Sequence, residues 1–235
     1  LMNLYIYLVP FLFLCMVVTT AYLSRTELRN YWLVLIIGML PAVLVSVLSG
    51  DSGTDKAYYY EWISNTYNGN FEKVLYEPGF KYLTFAISFI RPSEFFIIPL
   101  IALLTSALLI WSFSNTVWQL IVFCFILFPF FYFDMTMNGL RYGLSFALCA
   151  VAAKKQAEEK TILFFIFGVL ATSMQYSSLI IVMLIYFSQV KIHKIHLLFI
   201  IVLGYVIFQM LDFSYFDNKV DLYKDLKRPS GISGL

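Results

Sequence analysis

Long apolar runs separated by short polar breaks make up most of this chain. The runs cover approximately residues 2–22, 31–49, 80–90, 94–112, 117–133, 138–153, 161–173, 176–189 and 195–212. Several are long enough to cross about 30 Å of hydrocarbon as a helix. None alternates with the period of two that a membrane β-strand shows. The pattern predicts an all-α fold, a polytopic transmembrane helical bundle of about eight spans plus one short re-entrant or interfacial helix. No repeat or soluble domain interrupts it, so residues 1–235 read as a single integral-membrane domain. The first run lacks a basic leader and a small-residue cleavage site, which makes it a retained span rather than a signal peptide.

Composition strengthens that picture. Of the 235 residues, 61% are hydrophobic and 13% are charged, and the mean hydropathy is +0.81. A soluble domain averages about 25% charged and 45–50% apolar residues, so a water-soluble fold of this size is excluded. The net charge of +2 gives no reason to expect nucleic acid as a partner. Cys15, Cys124 and Cys149 all fall inside apolar runs and read as small core or lipid-facing residues. No CxxC, HExxH or His/Asp cluster is present. The expectation is therefore no protein-held metal and no cofactor.

The polar breaks set orientation, because short cytoplasmic loops carry an excess of Lys and Arg. "SRTELRN" (Arg25, Arg29), "KKQAEEK" (Lys154, Lys155, Lys160) and "KIHK" (Lys191, Lys194) are the basic loops. The insert 50–78 holds Asp51, Asp55, Glu61, Glu72 and Glu77 against Lys56 and Lys73, so it belongs on the extracytoplasmic side. Five runs separate the first two basic loops, and both loops favour the cytoplasm, so one run must fail to cross. The run 80–90 is the weakest, at roughly 16 Å as a helix, and is expected to be re-entrant or interfacial. Runs 161–173 and 176–189 are also short and are expected to be two segments, with "TSMQYSS" between them just reaching the outer surface; one long tilted helix is the alternative, and it would flip the later parity. Parity then gathers the 50–78 insert, 133–141, 172–178 and the tail 213–235 on one outer face.

Chemistry is to be sought on that face. Arg141 opens the apolar stretch "LRYGLSFALCAVAA". An Arg at membrane depth is costly and by default functional, and its planar fork suits phosphate or carboxylate. The bland reading is an interfacial anchor whose head snorkels to water. Gly139, Gly143 and Ala147 form a small-residue stripe that admits close packing by another helix, which favours a site. Asp55 sits beside Tyr58, Tyr59, Tyr60 and Trp62, a grouping suited to a general base or a sugar-hydroxyl acceptor with rings against sugar faces. A solvated aromatic belt fits the same residues. In "YEPGF", Glu77 and Pro78 make ordinary helix-start chemistry, and Lys81 adds charge where a re-entrant helix start would hold an anion. Asp134 and Asn138 flank the turn before Arg141, and Asp134 is expected to pair with Arg141 or another cation. Gln175, Ser177 and Ser178 read as a helix break. His193 and His196, among lysines, read as anchors.

The ordered set "GTDxxxYY", "EPGF" and "MNGLRYGLSFAL" resembles the EpsG-type, Wzy-like polysaccharide polymerases of bacterial membranes. The likeness runs from about residue 30 to about residue 190. It implies a multi-pass inner-membrane glycosyltransferase that joins oligosaccharide repeat units carried on undecaprenyl diphosphate, with its active face periplasmic or extracytoplasmic. The products of such enzymes are O-antigen, capsular polysaccharide or exopolysaccharide. Carried across, Asp55 matches the acid after Gly-Thr, Glu77 the acid of the Glu-Pro pair and Arg141 the family Arg; for such a reaction Arg141 is expected to stabilise the diphosphate leaving group, assisted by Lys81. Asp55 is the first base and Glu77 the second. Tyr58, Tyr59 and Trp62 hold sugars, with Asn138 and Gln175 also binding substrate. Chain-length regulators, flippases and membrane lipids are the implied partners. Two departures stand out. Where members usually show His-x-Ser, this chain has "QYS" (Gln175, Tyr176, Ser177), and Gln does not titrate near neutral pH. Members also commonly continue well past the polar "LKRPSGISGL", so the sequence reads as a C-terminally shortened piece. Two other activities suit the same residues: a lipid-linked glycan translocator or exporter subunit without catalysis, and a ligase-like transferase.

Overall fold

The computed structural model describes residues 2–23, 31–49, 55–70 and 77–189, and every secondary-structure element among them is helical. Two units divide the chain, Leu1–Met183 and Leu184–Leu235. Of the second, only the end of one helix lies among the described residues. The apolar run 195–212, the tail 213–235, the basic loops at 24–30 and 191–194, and both histidines lie outside them.

The first unit begins with α1 (Met2–Leu23) and α2 (Tyr31–Val47). A short helix α3 (Lys56–Tyr67) follows, then α4 (Pro78–Ser88) and α5 (Glu94–Phe113). Next, α6 (Val117–Val122) passes directly into π-helical stretches at Phe123–Tyr132 and Asp134–Asn138. Finally come α7 (Leu140–Ala157), α8 (Thr161–Met174) and α9 (Ser178–Gln189). Among these, α1 and α5 are long and apolar enough to cross a membrane, while Tyr31–Val47, Val117–Tyr132, Thr161–Met174 and Ser178–Ser188 are apolar but shorter. Pro10, Pro41 and Pro99 sit inside α1, α2 and α5, a placement that apolar helices tolerate when neighbours re-satisfy the freed carbonyls.

The core forms where α1, α2, α5, the π stretch and α7 meet. Leu14, Leu35, Met39, Leu109, Phe123, Phe128 and Ala147 are buried there, and the Phe128 and Tyr132 rings stack at 5.2 Å. The outside is apolar as well. Val9, Leu12, Met16, Ile162 and Val169 are all exposed, a density of surface hydrocarbon that water would not tolerate and lipid would.

One sequence expectation changes here, and one alternative is settled. The insert 50–78 is not simply a polar loop: α3 occupies Lys56–Tyr67. Lys56, Tyr59, Ile63 and Thr66 are its buried residues, at the three- and four-residue spacing of one helical face. Runs 161–173 and 176–189 are two helices and not one. A Cβ built on Gly168 of α8 would lie 2.9 Å from Val182 Cγ1 of α9, so the chain folds back on itself. The break falls at Gln175, whose backbone is extended. The short run 80–90 does form a helix of its own, 11 residues long, with Pro78 at its first turn where a missing N–H costs nothing.

Candidate functional site

The site is assembled around Arg141, one residue into α7. The chain reaches α7 through the π-helical turn Asp134–Asn138, which closes with the Gly139 amide donating to the Asp134 carbonyl at 2.8 Å. The first turn of α7 then seats against this turn. A Cβ on Gly143 would lie 2.7 Å from the Met135 carbonyl carbon, so only glycine allows the approach. The small-residue stripe thus packs its glycine against the segment immediately before it, with Ala147 buried in the core.

Arg141 Nη1 is 2.5 Å from Glu77 Oε2, an ion pair spanning 64 positions of sequence. Glu77 is buried, at 7% exposure. It occupies the N-cap position of α4 but makes no side-chain cap there, since its carboxylate faces the guanidinium instead. The expected Asp134–Arg141 pair does not form in this structure. Asp134 is exposed and accepts from Asn138 Nδ2 at 3.0 Å, a local bond that the turn offers. A second close approach holds Glu77 in place: a Cβ on Gly79 would lie 2.7 Å from the Ser173 backbone. Glycine in "EPGF" therefore lets the start of α4 press against the end of α8.

From the other side comes Tyr59 of α3. Its ring packs against Phe80 of α4 at 6.1 Å, and its hydroxyl accepts from the Arg141 backbone amide at 3.5 Å. Burial pushes the Tyr59 phenol up from its ordinary value; the neighbouring Arg141 charge opposes the rise and Asp55 adds to it. Asp55 itself is exposed at the start of α3, and its carbonyl receives the amides of Tyr58 and Tyr59.

The remaining sequence-predicted residues surround this group less closely. Tyr58 and Trp62 are half-buried, with rings 6.2 Å apart; Tyr59, by contrast, is buried and presents no ring face for a sugar. Lys81 is half-buried one turn beyond Glu77. Asn138 binds Asp134. Gln175 Nε2 donates to Ser177 Oγ at 2.9 Å, and lies two residues from the Ser173 contact with Gly79. It thus shares the site's end of the bundle, occupied with its own turn. Among the described residues no three His, Cys, Asp or Glu side chains come together in a metal-binding group.

Sequence reasoning missed Lys56. It is buried, at 3% exposure, and its ammonium donates to Ser49 Oγ. The signal was present: Lys56 falls three residues before Tyr59 and seven before Ile63, on the face that α3 buries. It also missed the hydroxyls of Ser46, Ser106, Tyr132 and Thr136, which read one at a time as neutral filler.

A family model described as the EpsG family matches residues 31–228, a stretch that contains every residue named above for the site. No curated protein and no solved structure matches the chain.

Proposed function

Since the chain belongs to the EpsG family, we propose that this helical membrane protein polymerises oligosaccharide repeat units carried on undecaprenyl diphosphate. The family is associated with polysaccharide polymerisation, and the apolar exterior agrees with a membrane location. The finer reading places the protein in a bacterial inner membrane, multi-pass, with the 50–78 insert and the site on the extracytoplasmic face. There its products would be O-antigen, capsular polysaccharide or exopolysaccharide, with chain-length regulators and flippases as partners.

The observation that carries this reading is the Arg141–Glu77 pair with Tyr59 over it. Transfer of a glycan from a lipid diphosphate releases a leaving group bearing two phosphates. Stabilising that charge with a preorganised cation is a large term, and the bidentate fork of Arg suits it. In the resting protein Glu77 occupies the guanidinium and fixes its direction. An arriving diphosphate takes over Arg141, with Lys81 adding charge along α4. The acceptor sugar hydroxyl gives its proton to Asp55, an exposed acid at the start of α3. Glu77 is the alternate base once displaced. The hydroxyl oxygen then bonds to the anomeric carbon as the bond to the lipid diphosphate breaks, and the electron pair leaves with the diphosphate. Tyr58 and Trp62 offer ring faces to the sugars.

The test feeds purified protein a synthetic lipid-linked repeat unit, with and without a chelator. Longer lipid-linked glycans support the polymerase. Unchanged substrate, with movement across proteoliposomes, would replace it with a translocator. Transfer to a different acceptor would replace it with a ligase.

A further inference from the structure

A line of buried hydroxyls runs beside the site and ends in the turn that presents Arg141. Lys56 donates to Ser49 Oγ, and Ser49 Oγ donates to the Ser46 carbonyl at 2.7 Å. Ser46 Oγ lies 2.9 Å from Thr136 Oγ1, and Thr136 Oγ1 donates to the Tyr132 carbonyl at 2.9 Å. A hydroxyl has one hydrogen, so Thr136 spends its own on Tyr132 and Ser46 is the donor between the two. At the far end Ser106 Oγ gives its hydrogen to the Ala102 carbonyl at 2.8 Å. Tyr132 is therefore the donor in its 2.9 Å bond with Ser106. The line joins α3, α2, the π stretch and α5.

Thr136 is its critical member. A π-helical turn is an α-helix carrying one extra residue, is rare, and is concentrated at functional sites. Closing the same segment in α register would rotate everything after it by about 100°. Arg141 follows directly, and Gly143 rests on Met135 of this turn, so the register decides whether the guanidinium meets Glu77. Thr136 is fully buried, lies in the middle of the turn, and is bound to α2 through Ser46 in the π register.

We propose that Thr136, held by Ser46, is a positioning residue that locks the π register and thereby delivers Arg141 to Glu77. Its consequence for catalysis rests on the polymerase reading above; its structural content does not. Thr105 provides the internal contrast, because its hydroxyl is equally buried but has no hydrogen-bond partner among the described residues.

The experiment is a double-mutant cycle on the purified full chain in detergent, read as thermal midpoint. It uses Thr136→Val, Thr136→Ser, Glu77→Gln and the Thr136→Val/Glu77→Gln pair, with Thr105→Val and its Glu77→Gln pair as controls. Residues in one network give non-additive changes and independent ones add. Thr136→Val and Glu77→Gln are each expected to lower the midpoint by several degrees. The double should fall no further than the worse single, Thr136→Ser should restore the wild-type midpoint, and Thr105→Val should add simply. Should Thr136→Val not fold, Ser46→Ala removes the donor from outside the turn and enters the same cycle. Additive shifts for Thr136 and Glu77, or a Thr136→Ser variant as damaged as Thr136→Val, overturn the proposal. Polymer synthesis on the synthetic lipid-linked unit is measured in parallel. A cycle that couples while Arg141→Ala still makes polymer sinks the catalytic reading and leaves the positioning role standing.

Discussion

The ion pair between Arg141 and Glu77 stands at the centre of the candidate site. Arg141 and Glu77 are 17% and 7% exposed, and breaking a buried pair costs about 3–5 kcal/mol because one charge is left uncompensated. Glu77→Gln should therefore lower stability in proportion, while Arg141→Lys should keep the protein folded yet abolish polymer, since an ammonium lacks the fork. Normal polymer from Arg141→Lys would remove the residue from the site. Asp55→Asn should lower kcat by about 10²–10⁴, the usual share of a general base. A kcat within threefold of wild type would remove Asp55 from the role of base. Charge in a greasy chain made Arg141, Glu77 and Asp55 legible as candidates. Their pairing was not legible. Local spacing offered Asp134 to Arg141, whereas the fold gives Asp134 to Asn138 and brings in Glu77 from 64 positions away.

At the level of elements, two glycines set the geometry. Gly143 and Gly79 are sites where a Cβ would overlap backbone of the neighbouring segment. Overpacking of this kind typically costs about 1–3 kcal/mol. Gly143→Ala should separate α7 from the Asp134–Asn138 turn, and Gly79→Ala should push α4 off α8; both move one partner of the ion pair. Each should lower the thermal midpoint and the rate of polymer formation together, while Gly69→Ala, where a Cβ would meet nothing but the backbone has φ +78°, should touch stability alone. Polymer at the normal rate from Gly143→Ala would show that the close approach is dispensable. The run boundaries foretold α1, α2, α4, α5, α8 and α9 to within a few residues. They did not foretell α3, whose aromatic and charged outer face hid the spacing of Lys56, Tyr59, Ile63 and Thr66. Nor did they foretell the π stretch, since an inserted residue in a uniformly apolar segment leaves hydrophobic periodicity without contrast.

Across the whole molecule, α7 is polarised from end to end. Arg141 and Glu77 stand at its start; Lys154 and Lys155 stand in its last turn, with both ammoniums over the Trp111 ring at 5.2 and 4.9 Å. Lys160 and Lys155 each donate to Glu158 at 2.9 Å, and these bonds, Lys160 first, hold the Glu158 carboxyl down at about 2, below its ordinary 4.5. A depressed carboxylate contributes stability above its unfolded value and loses it as pH falls through the folded one. The midpoint difference between wild type and Glu158→Gln should accordingly be constant above pH 4.5 and shrink to nothing as pH falls to about 2. It should also be small, since the partly exposed Glu158 carboxylate and Lys160 lie at the surface. A difference that persists at pH 2 would assign the effect to something other than charge. The charge asymmetry was readable from loop composition and predicts orientation. A Cys introduced at Ser64 of α3 should react with an impermeant reagent from outside the cell, and one at Glu159 should not; the reverse labelling would invert the proposed topology.

Glu77 also bears on how such a site survives its surroundings. A bare guanidinium at the membrane surface would be flooded by phospholipid head groups, each with one phosphate and each present in vast excess over any lipid-linked sugar. Because Arg141 arrives already neutralised by an internal carboxylate, a singly charged phosphodiester gains little by evicting it. A diphosphate, carrying more charge on adjacent oxygens, gains more. If the proposed lipid diphosphate is the substrate, the pair would act as a threshold, turning away the abundant lipid and admitting the scarce one.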